Sequence, residues 1–252
     1  MSVSDPSLVY TRRNAFLAAN WEYLAMLNYK APPAVLAPHI PPGTTLDLRD
    51  GMAYVSVVGF LFNDTRVMGV KWPMHVHFEE VNLRYYIKQS MGADEKRGVG
   101  FVSEIVPRRC IATIANTLYN EHYRALRMRH SLAIKADTIN VRYEWRLNNK
   151  WNHIAIQAAN KLLDIAPGSD EEYILEHYWG YNQLNANTTI VYGVEHPRWQ
   201  VYEVAGYNLD ADIANLYGKE FVPFIQGIQP ASVFLARGSE VVVRKPTRLI
   251  VK

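Results

Sequence analysis

The sequence predicts an α+β protein that is predominantly antiparallel β-sheet, with the sheet closed or nearly closed. Segments rich in β-branched and aromatic residues recur along most of the chain, whereas three segments have helical spacing. A long antiparallel sheet that stays open exposes its edge strands to pairing with other chains, and closure removes those edges. Many strands with few helices therefore indicate a closed or nearly closed sheet.

The strands are expected in three groups along the chain. The first group is 51–62, 78–89 and 98–106, and the last two of these should form a hairpin around 92–94. The second group is 124–133, 137–147 and 151–158. Its last two members are joined by Asn148-Asn149-Lys150, a hairpin turn candidate because asparagine tolerates positive φ. Strand-like alternation returns over 188–207 and 232–251.

Helices are expected over 14–27, 107–119 and 169–178. The first has apolar residues at helical spacing, and the second begins with a proline suited to a first turn. The third opens with a capping-box pattern, Ser169 followed by Glu172 three residues later. Cys110, at the start of the second helix, has apolar neighbours, and we expect a buried thiol there.

The composition fits one domain with a sizeable core. The chain has 252 residues, 49% of them hydrophobic, with a net charge of +3 and one cysteine. No repeat or flexible linker divides it, so we expect a single domain over 1–252, with an N-terminal extension at about 1–14 and the main body at about 15–252. We expect no binding to nucleic acid, because basic residues are not concentrated in one segment. We expect no membrane association, because no apolar run reaches ~20 residues. We also expect the protein to be cytoplasmic.

One strand carries the most informative polar residues. Side chains alternate along a strand, so Glu80, Asn82, Arg84 and Tyr86 share one face of the predicted strand 78–89. That face points either to solvent, which is usual for a sheet covered on one side, or into an interior where these groups converge on a small ligand. The residues alone favour solvent.

A metal site is the second candidate in this region. His75, His77 and Glu79 would lie on one face of an extended chain, and two imidazoles with a carboxylate can bind zinc or iron. Trp72-Pro73 just upstream implies a turn that bends the segment. We therefore favour partly exposed histidines at the start of a strand, and we expect no metal and no other cofactor.

The order of several segments resembles a known family. These segments are 20–24 (NWEYL), 36–43 (LAPHIPPG), 51–55 (GMAYV), the strand F-x-E-x-N-x-R-x-Y from Phe78 to Tyr86, and 98–101 (GVGF). They look like the YqjF-like family of uncharacterised proteins, which is itself similar to acetoacetate decarboxylase. The resemblance covers about residues 15–240. It implies a cone-shaped antiparallel β-barrel with flanking helices and a central cavity, into which Glu80, Asn82, Arg84 and Tyr86 would point.

The resemblance also bears on catalysis. The decarboxylases act through a Schiff-base lysine, and matching the helix that precedes it places that lysine and its neighbour on about Tyr123 and Arg124, neither of which can form an imine. The decarboxylase arginine falls on Trp21 and the glutamate on Glu80. The resemblance therefore implies that this chain does not decarboxylate acetoacetate.

Three functions follow from these observations. The first is a cavity that binds a small carbonyl- or carboxylate-bearing molecule. There Glu80 would transfer a proton or hydrogen-bond, Arg84 would hold an anionic group, and the other ligand-binding candidates are Trp21, Asn82, Tyr86, Tyr123 and Arg124. The second is a non-catalytic binding or assembly protein on the same fold, with a homo-oligomer as one form. The third, least favoured, is a metal-dependent enzyme using His75, His77 and Glu79.

Overall fold

A computed structural model describes residues 15–91, 94–120 and 122–251, with the backbone alone at 91, 114, 115 and 118. The predicted extension at 1–14 lies outside the described residues. The strands of the described part are β1 Ala15–Ala31, β2 Thr45–Leu46, β3 Ala53–Val67, β4 Phe78–Met91, β5 Asp94–Val106, β6 Tyr123–Ala125, β7 Arg127–Ile134, β8 Thr138–Leu147, β9 Lys150–Asp164, β10 Trp179–Asn185, β11 Thr188–Glu195, β12 Gln200–Asp210, β13 Ser232–Arg244 and β14 Thr247–Ile250.

The helices are short and lie between strands. They are α1 Pro33–Leu36, α2 Arg109–Tyr119, α3 Asp170–Leu175, α4 Ile213–Leu216 and α5 Val222–Ile225, with 3-10 turns at Ala37–His39 and Lys219–Phe221. No helix in the described part of the chain has both the length and the apolar character of a transmembrane span.

The strands form one mostly antiparallel sheet. Its main order is β14-β11-β10-β5-β4-β3-β1-β13-β12-β9-β8-β7, and only the pairings of β5 with β10 and with β6 are parallel among the described strands. β11 also pairs with β13, so seven strands from β11 through β4 to β13 form a continuous circuit of pairings. The predominantly antiparallel sheet is confirmed, while the closed, cone-shaped barrel remains a prediction that this circuit favours.

The prediction of a helix over 14–27 is wrong, because this segment is strand β1. β1 lies between β3 and β13 and is buried on both faces along much of its length, so its sequence lacks the apolar–polar alternation of a half-exposed strand. Its register also shifts twice against β3, and Tyr23 has a φ of 52° at one of these irregularities. An apolar pattern interrupted in this way matches helical spacing by coincidence.

The other local signals agree with the structure. α2 occupies most of the predicted 107–119, and Ser169 caps α3 by accepting a hydrogen bond from the Glu172 backbone N–H at 3.2 Å. β4 and β5 form the predicted hairpin. β8 and β9 are joined by Asn148 and Asn149, whose φ angles of 48° and 62° fit a two-residue hairpin turn.

Side chains from the two faces of the sheet pack into two separate apolar clusters. Along β4, Val81, Leu83, Tyr85 and Ile87 join one cluster, together with the inward side chains of β8 and β9. Phe78 and Tyr86 join the other, which includes Ile174 of α3. Both faces of β4 are therefore covered, and its polar residues lie in the interior rather than facing solvent as the residues alone favoured.

Candidate functional site

A cavity of about 280 Å³ lies on the second of these faces, against the polar side of β4. Its walls are mainly aromatic and aliphatic, and a few polar side chains interrupt them. Five residues predicted from the sequence line it: Trp21, Glu80, Asn82, Arg84 and Tyr123. An apolar cavity with a small number of convergent polar groups is typical of a small-molecule site.

Among the described residues, Asn82 and Tyr123 hydrogen-bond to Glu80. It is 3% exposed, and its carboxylate accepts hydrogen bonds from Asn82 Nδ2 at 2.9 Å and from the Tyr123 hydroxyl at 2.8 Å. Asn82 follows Glu80 on the same face of β4. Tyr123 comes from β6, which pairs with β5. Two strands therefore fix the orientation of this carboxylate at the cavity wall.

Arg84 lies further along the same face. Its Nε donates to the Tyr86 hydroxyl at 3.1 Å and its Nη2 donates to the Ile174 carbonyl at 3.4 Å. The Tyr86 hydroxyl is in turn 2.6 Å from Ser56 Oγ. No carboxylate of the described residues forms an ion pair with Arg84. Its charge is thus held in place by neutral groups at the cavity.

Two predicted ligand-binding residues are not among the described cavity-lining residues. Tyr86 is buried beneath the wall and positions Arg84 instead. Arg124 donates to the Asn215 and Leu216 carbonyls at 3.1 and 3.4 Å. Successive side chains of a strand point to opposite faces, so Tyr123 of β6 faces the cavity and Arg124 faces away.

The structure does not bring the predicted metal ligands together. His75 Nδ1 donates to the Pro73 carbonyl, His77 Nδ1 is 3.0 Å from Asn63 Oδ1, and Glu79 is 3.2 Å from His130 Nδ1. The chain becomes extended only at Phe78, so the alternation assumed for His75 and His77 does not apply before it. In the described part of the chain, no three His, Cys, Asp or Glu side chains cluster as a metal site would require.

Cys110 is also not where the sequence placed it. The thiol is exposed rather than buried, and it lines the cavity together with His75, whose Nε2 it contacts. Cys110 is the second residue of α2, and the apolar side of that helix faces inward through residues such as Ala112. An apolar neighbourhood in sequence therefore did not mean burial at the first turn.

Sequence reasoning missed a carboxylate and two imidazoles in the cavity wall, which belong to Glu104, His177 and His196. Glu104 of β5 lies opposite Asn82 and is 1% exposed. Burial lowers the pKa of both histidines to about 4, so each is neutral at pH 7. His196 stacks on Trp199, with ring centroids 4.0 Å apart.

His177 has a defined tautomer. Its Nε2 lies 3.2 Å from Asp47 Oδ2. Burial raises the pKa of Asp47, but hydrogen bonds from His177 and Arg97 outweigh it and hold the pKa at about 2. Because Asp47 is ionised, Nε2 carries the proton and donates it, which leaves Nδ1 of His177 as an acceptor.

Four cavity-lining side chains have a buried polar atom without a hydrogen-bond partner among the described residues. These atoms are Trp21 Nε1, Thr65 Oγ1, Asn82 Oδ1 and His177 Nδ1. Folded proteins leave few such atoms unsatisfied. Other such atoms lie elsewhere in the described interior, for example Trp145 Nε1 and Tyr217 Oη, so these four do not by themselves mark a ligand site.

Residues 18–240 match the family DUF2071, described as "Uncharacterized conserved protein". The chain belongs to this family. The resemblance to a family of uncharacterised conserved proteins is thereby confirmed. No curated protein sequence matches this DUF2071 chain significantly.

Several solved structures have a similar fold. An acetoacetate decarboxylase-like enzyme from Sphingomonas wittichii RW1 has a TM-score of 0.63 at 11% identity, covering 95% of this chain and 94% of that one. Acetoacetate decarboxylase from Legionella pneumophila gives 0.61 at 12%, covering 93% and 88%. The enduracididine biosynthesis enzyme MppR, complexed with the condensation product of pyruvate and imidazole 4-carboxaldehyde, gives 0.64 at 9%, covering 93% and 89%. At these identities the likeness shows that the DUF2071 chain has an acetoacetate decarboxylase-like fold.

The missed residues of the DUF2071 chain left weak signals in its sequence. Glu104 is the one acidic residue in the largely apolar strand 98–106, and His196 precedes a proline at the end of a β-branched run. Neither signal says which other strand the side chain would face. His177 follows a short helix in a loop, where sequence gives no direction for the ring at all.

Proposed function

We propose that the chain binds a small carbonyl- or carboxylate-bearing molecule in the cavity and handles it through acid–base contacts, without a Schiff-base lysine. The observation that carries this proposal is that Glu80 and Arg84, each fixed by hydrogen bonds, lie on one face of β4 in the wall of one apolar cavity. A small number of fixed polar groups in an otherwise apolar wall is how small-molecule sites orient their ligands.

Arg84 favours an anionic group on the ligand. A guanidinium in an apolar wall lacks the hydration it has in water, and the described residues offer it no carboxylate. A ligand carboxylate would supply that charge and form strong, charge-assisted hydrogen bonds. The enzyme MppR, which has a similar fold, was solved once with pyruvate and once with a condensation product of pyruvate. A small keto acid is therefore a reasonable first probe.

Glu80 is the proposed proton-transfer or hydrogen-bonding group. It is fixed by Asn82 and Tyr123 within the same wall as Arg84, and Trp21 forms an apolar surface nearby. Among the described residues that line the cavity there is no lysine, which supports chemistry without an imine. We further propose that the seven-strand circuit is a closed, cone-shaped barrel whose interior is this cavity.

Isothermal titration with pyruvate tests the site. We expect binding to the wild type and at least tenfold weaker binding to Arg84→Gln, because a hydrogen bond to a charged group contributes about 1.5–3 kcal/mol. Arg142→Gln is the matched control, since Arg142 of β8 pairs with Glu144 away from the cavity. Glu80→Gln should change the affinity measurably.

Equal affinities of the Arg84→Gln variant and the wild type would remove Arg84 from the binding site. An unchanged affinity in Glu80→Gln would remove Glu80 in the same way. The single domain, the cytoplasmic location and a homo-oligomeric or assembly role remain predictions from the sequence.

A further inference from the structure

Cys110 and His75 form a thiol–imidazole pair at the mouth of the cavity. Cys110 Sγ contacts His75 Nε2, and both residues line the cavity. Cys110 is exposed, His75 is half-buried, and the neighbouring lining residue Trp72 is 55% exposed. Solvent and small molecules therefore reach the sulfur from the side on which the cavity opens.

The ring of His75 is oriented as a base toward the sulfur. Its Nδ1 lies 2.7 Å from the Pro73 carbonyl, which can only accept, so Nδ1 carries the proton. Nε2 is then the unprotonated nitrogen, and it faces the thiol. A nucleophile, a base within hydrogen-bond reach and a third group that orients the base are the elements of an activated nucleophile.

The position of Cys110 at the start of α2 also favours a reactive thiolate. Cys110 is in the first turn of α2, an 11-residue helix whose N-cap residue Arg108 provides no side-chain cap. The free N–H groups and the positive end of the helix dipole favour a negative charge at this position.

Thr65 offers a hydroxyl on the same side of the cavity. Its backbone N–H donates to the Val76 carbonyl, next to His75 in the chain. The side chain is 4% exposed, lines the cavity and has an Oγ1 without a hydrogen-bond partner among the described residues. A hydroxyl in this state is suited to donate to the oxygen of a bound carbonyl group.

We propose that Cys110 is a nucleophilic thiol, activated by His75, that adds reversibly to the carbonyl carbon of a small aldehyde or ketone in the cavity; the carbonyl substrate class rests on the proposed function. In this step the Sγ–C bond forms as the C=O π bond breaks. The thiol proton passes to His75 Nε2 and then to the carbonyl oxygen, giving a thiohemiacetal. No oxidant, reductant or leaving group is required.

The first experiment tests the thiol alone and needs no ligand. Because the chain has one cysteine, alkylation by iodoacetamide reports on Cys110 only. A free cysteine is only a few per cent thiolate at pH 7, so we expect His75→Gln to slow alkylation of the native protein about tenfold at that pH. His77→Gln is the matched control, since His77 contacts Asn63 instead, and its rate should stay within about twofold of the wild type.

The pH dependence of the rate separates activation from a structural effect. In the wild type the rate should stay high at pH values where a free thiol such as N-acetylcysteine has become slow, and in His75→Gln it should follow the free thiol. Cys110→Ser is the blank. Equal rates and equal pH profiles for the wild type and His75→Gln would overturn the activated thiol.

The second experiment uses glyoxylate, a small aldehyde with a carboxylate. Glyoxylate should slow alkylation of the wild type at least fivefold, and gel filtration should restore the original rate because the adduct is reversible. A reactive thiol that glyoxylate does not protect would overturn the covalent step. Pyruvate binding that fails while the thiol stays activated would instead count against the proposed function alone.

Discussion

Glu80 and Arg84 lie four residues apart on the same face of β4, yet they do not neutralise each other. Glu80 is hydrogen-bonded by Asn82 and Tyr123, whereas Arg84 is hydrogen-bonded by Tyr86 and a backbone carbonyl. The two side chains are therefore held by different partners within one apolar wall. This arrangement allows the wall to bind an anion at one point and to exchange a proton or a hydrogen bond at another.

The described residues that line the cavity include no lysine, and this predicts how the protein responds to acetoacetate. Sodium borohydride added with acetoacetate should leave the intact mass of the protein unchanged, because no imine forms to be reduced. Mass spectrometry measures this directly, with a lysine-dependent acetoacetate decarboxylase as the positive control. A mass increase corresponding to a reduced adduct would contradict the lysine-free chemistry.

At the residue scale, the sequence predicted the neighbours within one strand and missed those from different strands. Period-two alternation placed Glu80, Asn82 and Arg84 on one face because β4 is extended throughout that stretch. The same rule failed for His75 and His77, which precede the strand. Glu104, His177 and His196 reach the cavity by strand pairing and loop conformation, which local patterns do not encode.

Among the secondary-structure elements, local turn and capping chemistry was more informative than apolar spacing. The asparagine turn between β8 and β9 and the Ser169 cap of α3 depend on contacts within a few residues, and both were predicted. β1 depends on burial from two sides by β3 and β13, and its helix-like spacing misled the prediction. The family resemblance supplied the overall fold class that spacing alone could not.

The hairpin turn offers a test at this scale. Asn149 has a φ of 62°, in the left-handed region that costs an ordinary residue about 1–2 kcal/mol. We expect Asn149→Ala to lower the free energy of unfolding by about 1 kcal/mol, measured by urea denaturation at pH 7. Asn149→Gly, which accepts positive φ freely, should show no such loss. Equal stabilities of the alanine and glycine variants would contradict the turn conformation.

The stability of the whole molecule should depend on pH through its two buried histidines. His177 and His196 have pKa values of about 4 in the folded protein, because burial disfavours the charged ring, against an ordinary value of 6.5. Between these pH values the unfolded chain binds more protons than the folded protein, so acidification favours unfolding. At pH 5 each histidine should cost about 2 kcal/mol relative to pH 7.

Denaturation at pH 7 and at pH 5 measures this effect. His196→Phe keeps an aromatic ring beside Trp199 but removes the titration, so it should lose about 2 kcal/mol less than the wild type between the two pH values. His153→Asn, which changes a half-buried histidine of β9, should lose as much as the wild type. The same loss in His196→Phe as in the wild type would rule out His196 as a source of the pH dependence.

The pairing of β1 with β13 affects when the site can form during synthesis. β1, residues 15–31, pairs on this side with β13, residues 232–244, which lies about 200 residues later in the chain. At ribosomal rates of ~5–20 residues per second, the interval is about 10–40 s. During that time one edge of an apolar strand has no partner strand from its own chain, and such an edge is a substrate for chaperones. The wall that carries Trp21 is therefore completed only after β13 has been synthesised.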